Sequence, residues 1–134
     1  MQPKYFNYLT KIATTIEPVR RARLAACLVY KNEIISVGYN QKKSHPFQKQ
    51  FGKNEEAIFL HAETAAIVNA VKTHDLETIK KSSMYVLRLK RVGKSPVLVQ
   101  GLAKPCIGCQ RAVAQFDISD VYYTTDETNC YDCL

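Results

Sequence analysis

The sequence predicts a three-layer α/β/α domain around a mixed central sheet of about five strands. Segments with apolar residues at helical spacing alternate along the 134 residues with short apolar or alternating runs typical of strands. Two of these runs follow one another so closely that they are expected to form an antiparallel hairpin. The predicted order is α-β-β-α-β-(β)-α-β, which favours a layered α/β architecture. At this length we expect one domain, residues 1–134, with a core of its own.

The N-terminal half is predicted to hold one helix and the hairpin. The apolar face of the helix repeats every three or four residues, at Tyr5, Tyr8, Leu9, Ile12, Ala13 and Ile16. Pro18 lies at or just beyond the end of this helix. The continuous apolar run 24–30 is typical of a buried strand, and 34–39 is expected to return beside it after a turn. The polar segment 40–56 is predicted to be a long loop.

The C-terminal half is predicted to alternate between helices and strands. The alanine-rich segment 61–74 favours a helix, and the alternating segment 83–92 favours a half-buried strand. Residues 96–100 are expected to pair back onto that strand. A further helix begins near Cys106, and residues 120–125 complete the sheet.

Composition places the chain among soluble proteins. No apolar run reaches the roughly 18 residues of a membrane span. The N-terminus also lacks the apolar block of a signal peptide, so we expect a cytoplasmic protein. The five cysteines would be reduced there, and their odd number argues against a complete disulfide framework.

The net charge of +7 is unevenly placed. Residues 80–94 hold six basic and no acidic residues, whereas residues 117–134 hold five acidic and no basic ones. The basic stretch indicates an anionic partner, either a nucleotide phosphate or a nucleic acid backbone. It is equally typical of a solvated strand edge. Within it, Arg88 and Lys90 are expected to point together away from the core that Leu87 and Leu89 face.

Cys106 and Cys109 form a C-x-x-C pair, which alone fits a structural clip, a redox pair or part of a metal site. His61 and Glu63 open one predicted helix, and the cysteine pair opens a later one. Two helix starts brought together would offer an imidazole and two thiolates, which zinc binds readily while keeping a fourth position open. Glu63 is then placed to move protons, whereas a structural zinc site would need a fourth Cys or His instead.

The motifs "HAE" at 61–63 and "PCIGC" at 105–109 resemble the signature of the zinc-dependent cytidine and deoxycytidylate deaminase superfamily. The likeness extends to "VGYN" at 37–40 and is greatest to the dCMP deaminase group, including short bacteriophage enzymes. This resemblance implies a cytidine deaminase-like fold. It also implies one Zn²⁺ held by His61, Cys106 and Cys109, with Glu63 as the proton shuttle in an attack of water on the amine-bearing ring carbon.

The resemblance also implies residues that contact the substrate. Asn40 would reach the sugar or the base edge, and the backbone N–H of Ala62 would bind the polar edge of the ring. Lys42, Lys43 and His45 follow Asn40 in the predicted loop and are further candidates. The two lysines are expected to meet a substrate phosphate and to matter more for a free nucleotide than Arg88 and Lys90, and His45 would touch the substrate. Each also has a simpler interpretation, since Asn often ends a strand in a turn and loop Lys and His side chains are commonly solvated.

The predicted function is therefore hydrolytic deamination of an aminopyrimidine nucleotide, dCMP to dUMP, by a homo-oligomer, as in the superfamily. One alternative is a cytosine or adenine deaminase acting on tRNA or single-stranded DNA. Another is a zinc-stabilised, non-enzymatic binding module, which requires Glu63 to be idle. The chain departs from the common pattern in the 42 residues between Glu63 and Cys106, and in Lys104, where a Glu is familiar. Both departures leave the ligand set intact and bear on the substrate.

A second C-x-x-C pair, Cys130 and Cys133, lies at the chain end. A second metal site would need two more ligands, so a frayed tail is predicted there. Cys27, within an apolar run, is predicted to be a core residue.

Overall fold

The computed structural model describes residues 1–16, 18, 22–41 and 61–134. The helices and strands of this part are, in chain order, α1 (Pro3–Ala13), β1 (Ala22–Tyr30), β2 (Glu33–Tyr39), α2 (Ala62–Val71), α3 (Leu76–Lys80), β3 (Ser83–Arg91), β4 (Leu98–Gly101), α4 (Ile107–Gln115), β5 (Asp120–Thr124) and β6 (Tyr131–Cys133). The predicted mixed α/β fold is confirmed. Within the described ranges, no helix combines the length and the apolar character needed to cross a bilayer.

The sheet is mixed, with the strand order β2-β1-β3-β5-β6. β1 is antiparallel to both of its neighbours, whereas β3 and β5 run parallel and are joined through α4. β5 pairs with the first half of β3 and β4 with its second half, so both lie along the same edge of β3. The expected return of the 96–100 segment onto β3 is thereby confirmed.

Helices cover both faces of the sheet, which gives the three layers. On one face, α1 packs against a cluster that includes Cys27, Tyr85 and Leu87. On the other face, α2, α3 and α4 pack against a cluster that includes Leu28 and Val86. Cys27 is fully buried, as predicted, and burial raises the pKa of its thiol to about 12.

The hairpin between β1 and β2 forms as predicted because its turn chemistry is local. Lys31 and Asn32 are the two residues between the strands, and both have positive φ values, 49° and 65°. Two consecutive left-handed residues are typical of a type I′ turn, whose twist matches that of paired strands. Asn tolerates this conformation better than most residues do.

The predicted buried face of α1 was partly wrong. Tyr8 is 45% exposed, whereas Phe6, which the helical spacing did not select, is buried. The reason is a partner from the far end of the chain: the ring of Phe6 stacks on Tyr131 at a centroid distance of 4.2 Å. This contact rotates the buried face of the helix toward Tyr5, Phe6 and Leu9.

The predicted frayed tail was also wrong, because residues 131–133 form β6 beside β5. The loop before β6 is held by Gln100, whose Nε2 donates to the carbonyl oxygens of Thr125, Glu127 and Cys130 at 2.7–2.9 Å. The short helix α3 was missed as well. Its signal is Asp75, which caps the helix by accepting a hydrogen bond from the backbone N–H of Thr78.

Gly38 on β2 sets how closely α2 approaches the sheet. A methyl group built at Gly38 would lie 2.5 Å from the carbonyl oxygen of Ala62 and closer still to the backbone nitrogen of Ala66. Only a residue without a side chain leaves room for this helix backbone. Further along, Asn69 donates to the carbonyl oxygen of Val37 at 2.7 Å, so α2 runs antiparallel to β2 and begins at the C-terminal end of that strand.

We expect Gly38→Ala to displace the start of α2, because the added methyl meets helix backbone that cannot rotate away. Overpacking of this kind costs roughly 1–3 kcal/mol of unfolding free energy, measurable as a lower denaturation midpoint. Gly101→Ala is the matched control, since a methyl there meets only the flexible stems of Arg88 and Lys90 at 3.2 Å. Equal stability losses in the two variants would contradict this account.

Candidate metal centre

Two helices begin at the same end of the sheet, and each places a metal-binding side chain at its start. His61 precedes α2 and Cys106 precedes α4, both with extended backbone as N-cap residues. The strand-to-helix turn before α4 is braced by Gln110, whose Nε2 donates to the carbonyl oxygen of Pro105 at 2.9 Å. Sequence analysis did not select Gln110, and its only sequence signal is its position one helical turn after Cys106.

The structure brings His61, Cys106 and Cys109 together. The Sγ atoms of Cys109 and Cys106 lie 3.3 Å and 3.6 Å from Nδ1 of His61. The three candidate ligand atoms all lie within 4.8 Å of one another. Residues 45 and 48 positions apart in sequence thus converge on one point, as the sequence predicted.

The two thiols have very different pKa values because they share a hydrogen bond. Donation from the Cys109 thiol lowers the pKa of Cys106 to about 4, with further help from His61. The same hydrogen bond, together with burial, raises the pKa of Cys109 well above its usual value. Cys106 is therefore the thiol of the pair that takes a negative charge more readily. That charge is also favoured by the start of α4, where the backbone N–H of Cys109 points to Sγ of Cys106 at 3.5 Å.

Glu63 lies in the first turn of α2 and is only 4% exposed. Burial raises the pKa of its carboxyl group, while the charge of His61 acts in the opposite direction. The carboxyl group also interacts with the side chain of Cys109, which places it beside the three candidate ligands. A buried carboxyl group with a raised pKa can hold and release a proton near neutral pH.

The donor set fits zinc. One imidazole nitrogen and two sulfurs are ligands that Zn²⁺ prefers, and three protein ligands are typical of a catalytic site with an open position. A structural zinc site is usually closed by four protein ligands. Among the described residues, the group that could hold a metal ion consists of these three side chains.

Asn40 is buried at the end of β2, close to the start of α2, and both ends of its side-chain amide bond the backbone of β1. Its Oδ1 accepts from the N–H of Leu24 at 3.0 Å, and its Nδ2 donates to the carbonyl oxygen of Ala22 at 3.1 Å. These bonds hold the side chain in one orientation. Ala62, in the first turn of α2, is fully buried. The roles of both in substrate binding stay predictions, and Lys42, Lys43 and His45 lie outside the described residues.

The basic residues of β3 alternate with the buried leucines as predicted: Leu87 and Leu89 pack in the cluster under α1, and Arg88 and Lys90 lie on the opposite face. Both faces of β3 are covered, so the side of the strand that carries Arg88 and Lys90 is the side on which α2 and α4 pack. Arg88 and Lys90 are each only partly exposed. Lys90 donates to Oδ1 of Asp126 at 2.8 Å in an ion pair, which also lowers the pKa of that carboxyl group.

Comparison with protein families gives a match over residues 2–125 to the model described as the cytidine and deoxycytidylate deaminase zinc-binding region. The match covers nearly the whole chain and includes all three candidate ligands. The comparison with curated protein sequences gave no match.

Similar solved structures share this fold at low sequence identity. A dCMP deaminase from the cyanophage S-TIM5 in apo form has a TM-score of 0.58 and 23% identity, over 92% of this chain and 84% of that one. The same cyanophage enzyme in complex with dCMP and dUMP has a TM-score of 0.53 and 20% identity, over 92% and 82%. A cytidine deaminase from Burkholderia pseudomallei has a TM-score of 0.64 and 14% identity, over 100% and 92%.

We expect the purified protein to bind about one zinc ion per chain, because the donor set described here is that of a three-ligand zinc site. Cys109→Ala should lose the metal, and chelation of the wild type should lower the melting temperature, because metal binding contributes to folding stability. Metal content is measured by elemental analysis. Cys130→Ala is the control, and equal zinc loss in that variant would contradict the assignment.

Proposed function

The chain belongs to the cytidine and deoxycytidylate deaminase zinc-binding family, and we propose that it deaminates an aminopyrimidine nucleotide, converting dCMP to dUMP with release of ammonia. The observation that carries this proposal is the buried carboxyl group of Glu63 beside His61, Cys106 and Cys109. A binding module stabilised by zinc would have no use for an acid in that position.

In this proposal each residue of the centre has one task. His61, Cys106 and Cys109 would hold a zinc ion, which when bound would supply the Lewis acidity that makes water nucleophilic near neutral pH. Glu63 accepts a proton from the attacking water and delivers it to the ring nitrogen beside the amine-bearing carbon. The second proton of the same water then passes through this carboxyl group to the amine. The C–N bond breaks, ammonia leaves, and the oxygen stays on the ring carbon as the keto group.

The burial of Glu63 makes its carboxyl group better suited to this proton transfer than a solvent-exposed carboxyl group would be. Desolvation raises the pKa of the carboxyl group, which makes it a better holder of the proton between the two transfers. Both helix starts also leave backbone N–H groups without acceptors inside the helix. The N–H of Ala62 is accordingly proposed to bind the polar edge of the ring, with Asn40 held ready beside β1 for the sugar or the base edge.

A nucleotide substrate is favoured over a nucleic acid by the distribution of charge. The six basic residues of 80–94 do not form one patch: Lys80 and Lys81 precede β3, and the other four lie near its far end, roughly 25 Å away at 3.3 Å per residue. Lys90 is already paired with Asp126. The solved complex of the cyanophage relative contains dCMP and dUMP, which supports the same substrate class by analogy.

We expect the zinc-loaded protein to release ammonia fastest from dCMP in a panel with CMP, deoxycytidine, adenosine and short oligonucleotides. Glu63→Gln should keep the zinc and the fold but lose about 10²- to 10⁴-fold in turnover, because the isosteric amide cannot carry the proton. Near-normal turnover in this variant would overturn the mechanism, and a clear preference for oligonucleotides would overturn the substrate.

We also propose that the chain self-associates in the cytoplasm, where its thiols stay reduced. Leu102 and Ile107, which flank Cys106, are 44% and 55% exposed and give an apolar rim beside the metal centre. Light scattering at micromolar concentration should give a mass above that of one 15.2 kDa chain. Leu102→Asp should lower this mass, whereas Leu76→Asp, at an exposed site on α3, should not. A monomeric wild type would refute self-association.

A further inference from the structure

Arg88 lies on the face of β3 that α2 and α4 cover. Side chains alternate between the two faces of a strand, so Arg88 shares a face with Met84 and Val86. Those two residues pack in the core formed with α2 and α4. Arg88 continues this row toward the end of the sheet where the metal centre lies, and its side chain is half-buried rather than free in solvent.

The strand register relates Arg88 to the start of α2. Gly38, Ala26 and Val86 lie side by side across β2, β1 and β3, and α2 packs on Gly38. The next row on this face lies about 7 Å further along the strands. It contains Leu24 paired with Arg88, and Asn40, whose N–H donates to the carbonyl oxygen of Leu24 at 3.1 Å.

Gly101 gives the stem of Arg88 a surface to lie on. It is the β4 partner of Arg88, and a methyl built there would lie 3.2 Å from Cδ of Arg88. Gly101 is also five residues before Cys106, so the arginine lies close in the chain to the metal-binding turn. Arg88 and Asn40 therefore flank the same end of the sheet, one on each side of Leu24.

The Nε of Arg88 is buried and has no hydrogen-bond partner among the described residues. The nearest carboxylate that acts on its charge is that of Asp126, which interacts with Arg88 only at longer range because its ion pair is with Lys90. Lys90, two residues away on the same face, is neutralised by Asp126. A buried N–H of a charged group is costly unless an acceptor reaches it, and a guanidinium is best satisfied by a bidentate anion.

We propose that Arg88 binds the phosphate monoester of a nucleotide substrate, an inference that rests on the proposed deaminase function. One forked cation suffices for one phosphate group. A polynucleotide needs a track of several cations along its backbone, and the neighbouring lysine is already paired. Arg88 and Lys90 share a face of β3 but have different partners, so we assign the phosphate contact to Arg88 alone.

The test compares binding of dUMP and deoxyuridine, which differ only in the phosphate and need no turnover. By titration calorimetry on zinc-loaded protein, the wild type should prefer dUMP by about ten- to a hundredfold, as expected for a charge-assisted contact. Arg88→Gln should lose most of that preference, and Arg88→Lys should keep part of it. Lys90→Gln, on the same strand and face, should retain the wild-type ratio. Melting temperatures confirm that each variant is folded.

A retained preference for dUMP in Arg88→Gln, or an equal loss in Lys90→Gln, would overturn the assignment. Tight binding of an oligonucleotide would also overturn the assignment if the slope of its log binding constant against log salt concentration fell by about one unit in Arg88→Gln. The contact of Arg88 would then be to a phosphodiester. Ammonia release separates the two proposals. If deoxycytidine and dCMP are both deaminated, and the ratio of their rates is the same in the wild type and in Arg88→Gln, only the role of Arg88 is contradicted. If neither is deaminated but the dUMP preference depends on Arg88, only the deaminase proposal fails.

Discussion

The close approach of α2 to Gly38 is the constraint on which the metal centre depends. Because no side chain separates the strand from the helix, the first turns of α2 lie directly on β2. His61 and Glu63 are carried by those turns, so their positions are fixed by backbone packing rather than by flexible side chains. A site built on the rigid start of a helix holds its geometry better than one built on a loop.

The second half of the centre is anchored by the edge of β3 that β4 and β5 share. Thr124, fully buried at the junction, accepts from the N–H of Arg88 at 3.2 Å and donates to the carbonyl oxygen of Gly101 at 2.7 Å. Its own carbonyl oxygen accepts from Ala103 at 2.9 Å. One threonine thus ties three segments together just before Cys106. The long stretch between Glu63 and Cys106 includes the second half of β3 and its partner β4. These two segments pair with each other, so the extra length does not separate the candidate ligands.

The ionisable groups of the metal centre differ from the basic residues around it in their partners and their exposure. The thiol of Cys106 is exposed and the carboxyl group of Glu63 is buried, and both lie beside His61. The surrounding basic residues are mostly exposed or paired, so the net charge of +7 describes the chain as a whole better than it describes the site. The net charge of the chain affects its association with anions in general. Recognition of one particular anion depends instead on the position of a single guanidinium group.

The sequence by itself determined the features that depend on neighbouring residues. The turn at Lys31 and Asn32, the helix starts at His61 and Cys106, and the chemistry of the ligand set all follow from short segments. The periodicity of the helices and strands likewise predicted the layered architecture. A helix or strand that buries one face needs apolar residues at a regular spacing along its sequence.

Only the tertiary structure decided the features that depend on distant partners. Tyr131 stacks on Phe6 across the whole length of the chain, which orders β6 and turns α1. Asp126 pairs with Lys90 from 36 residues away, and among the described residues the Nε of Arg88 is left without a hydrogen bond. Periodicity tells which residues share a face of a strand, but not whether helices cover that face. Coverage of both faces of β3 by helices is therefore the physical reason why Arg88 and Lys90 are only partly exposed.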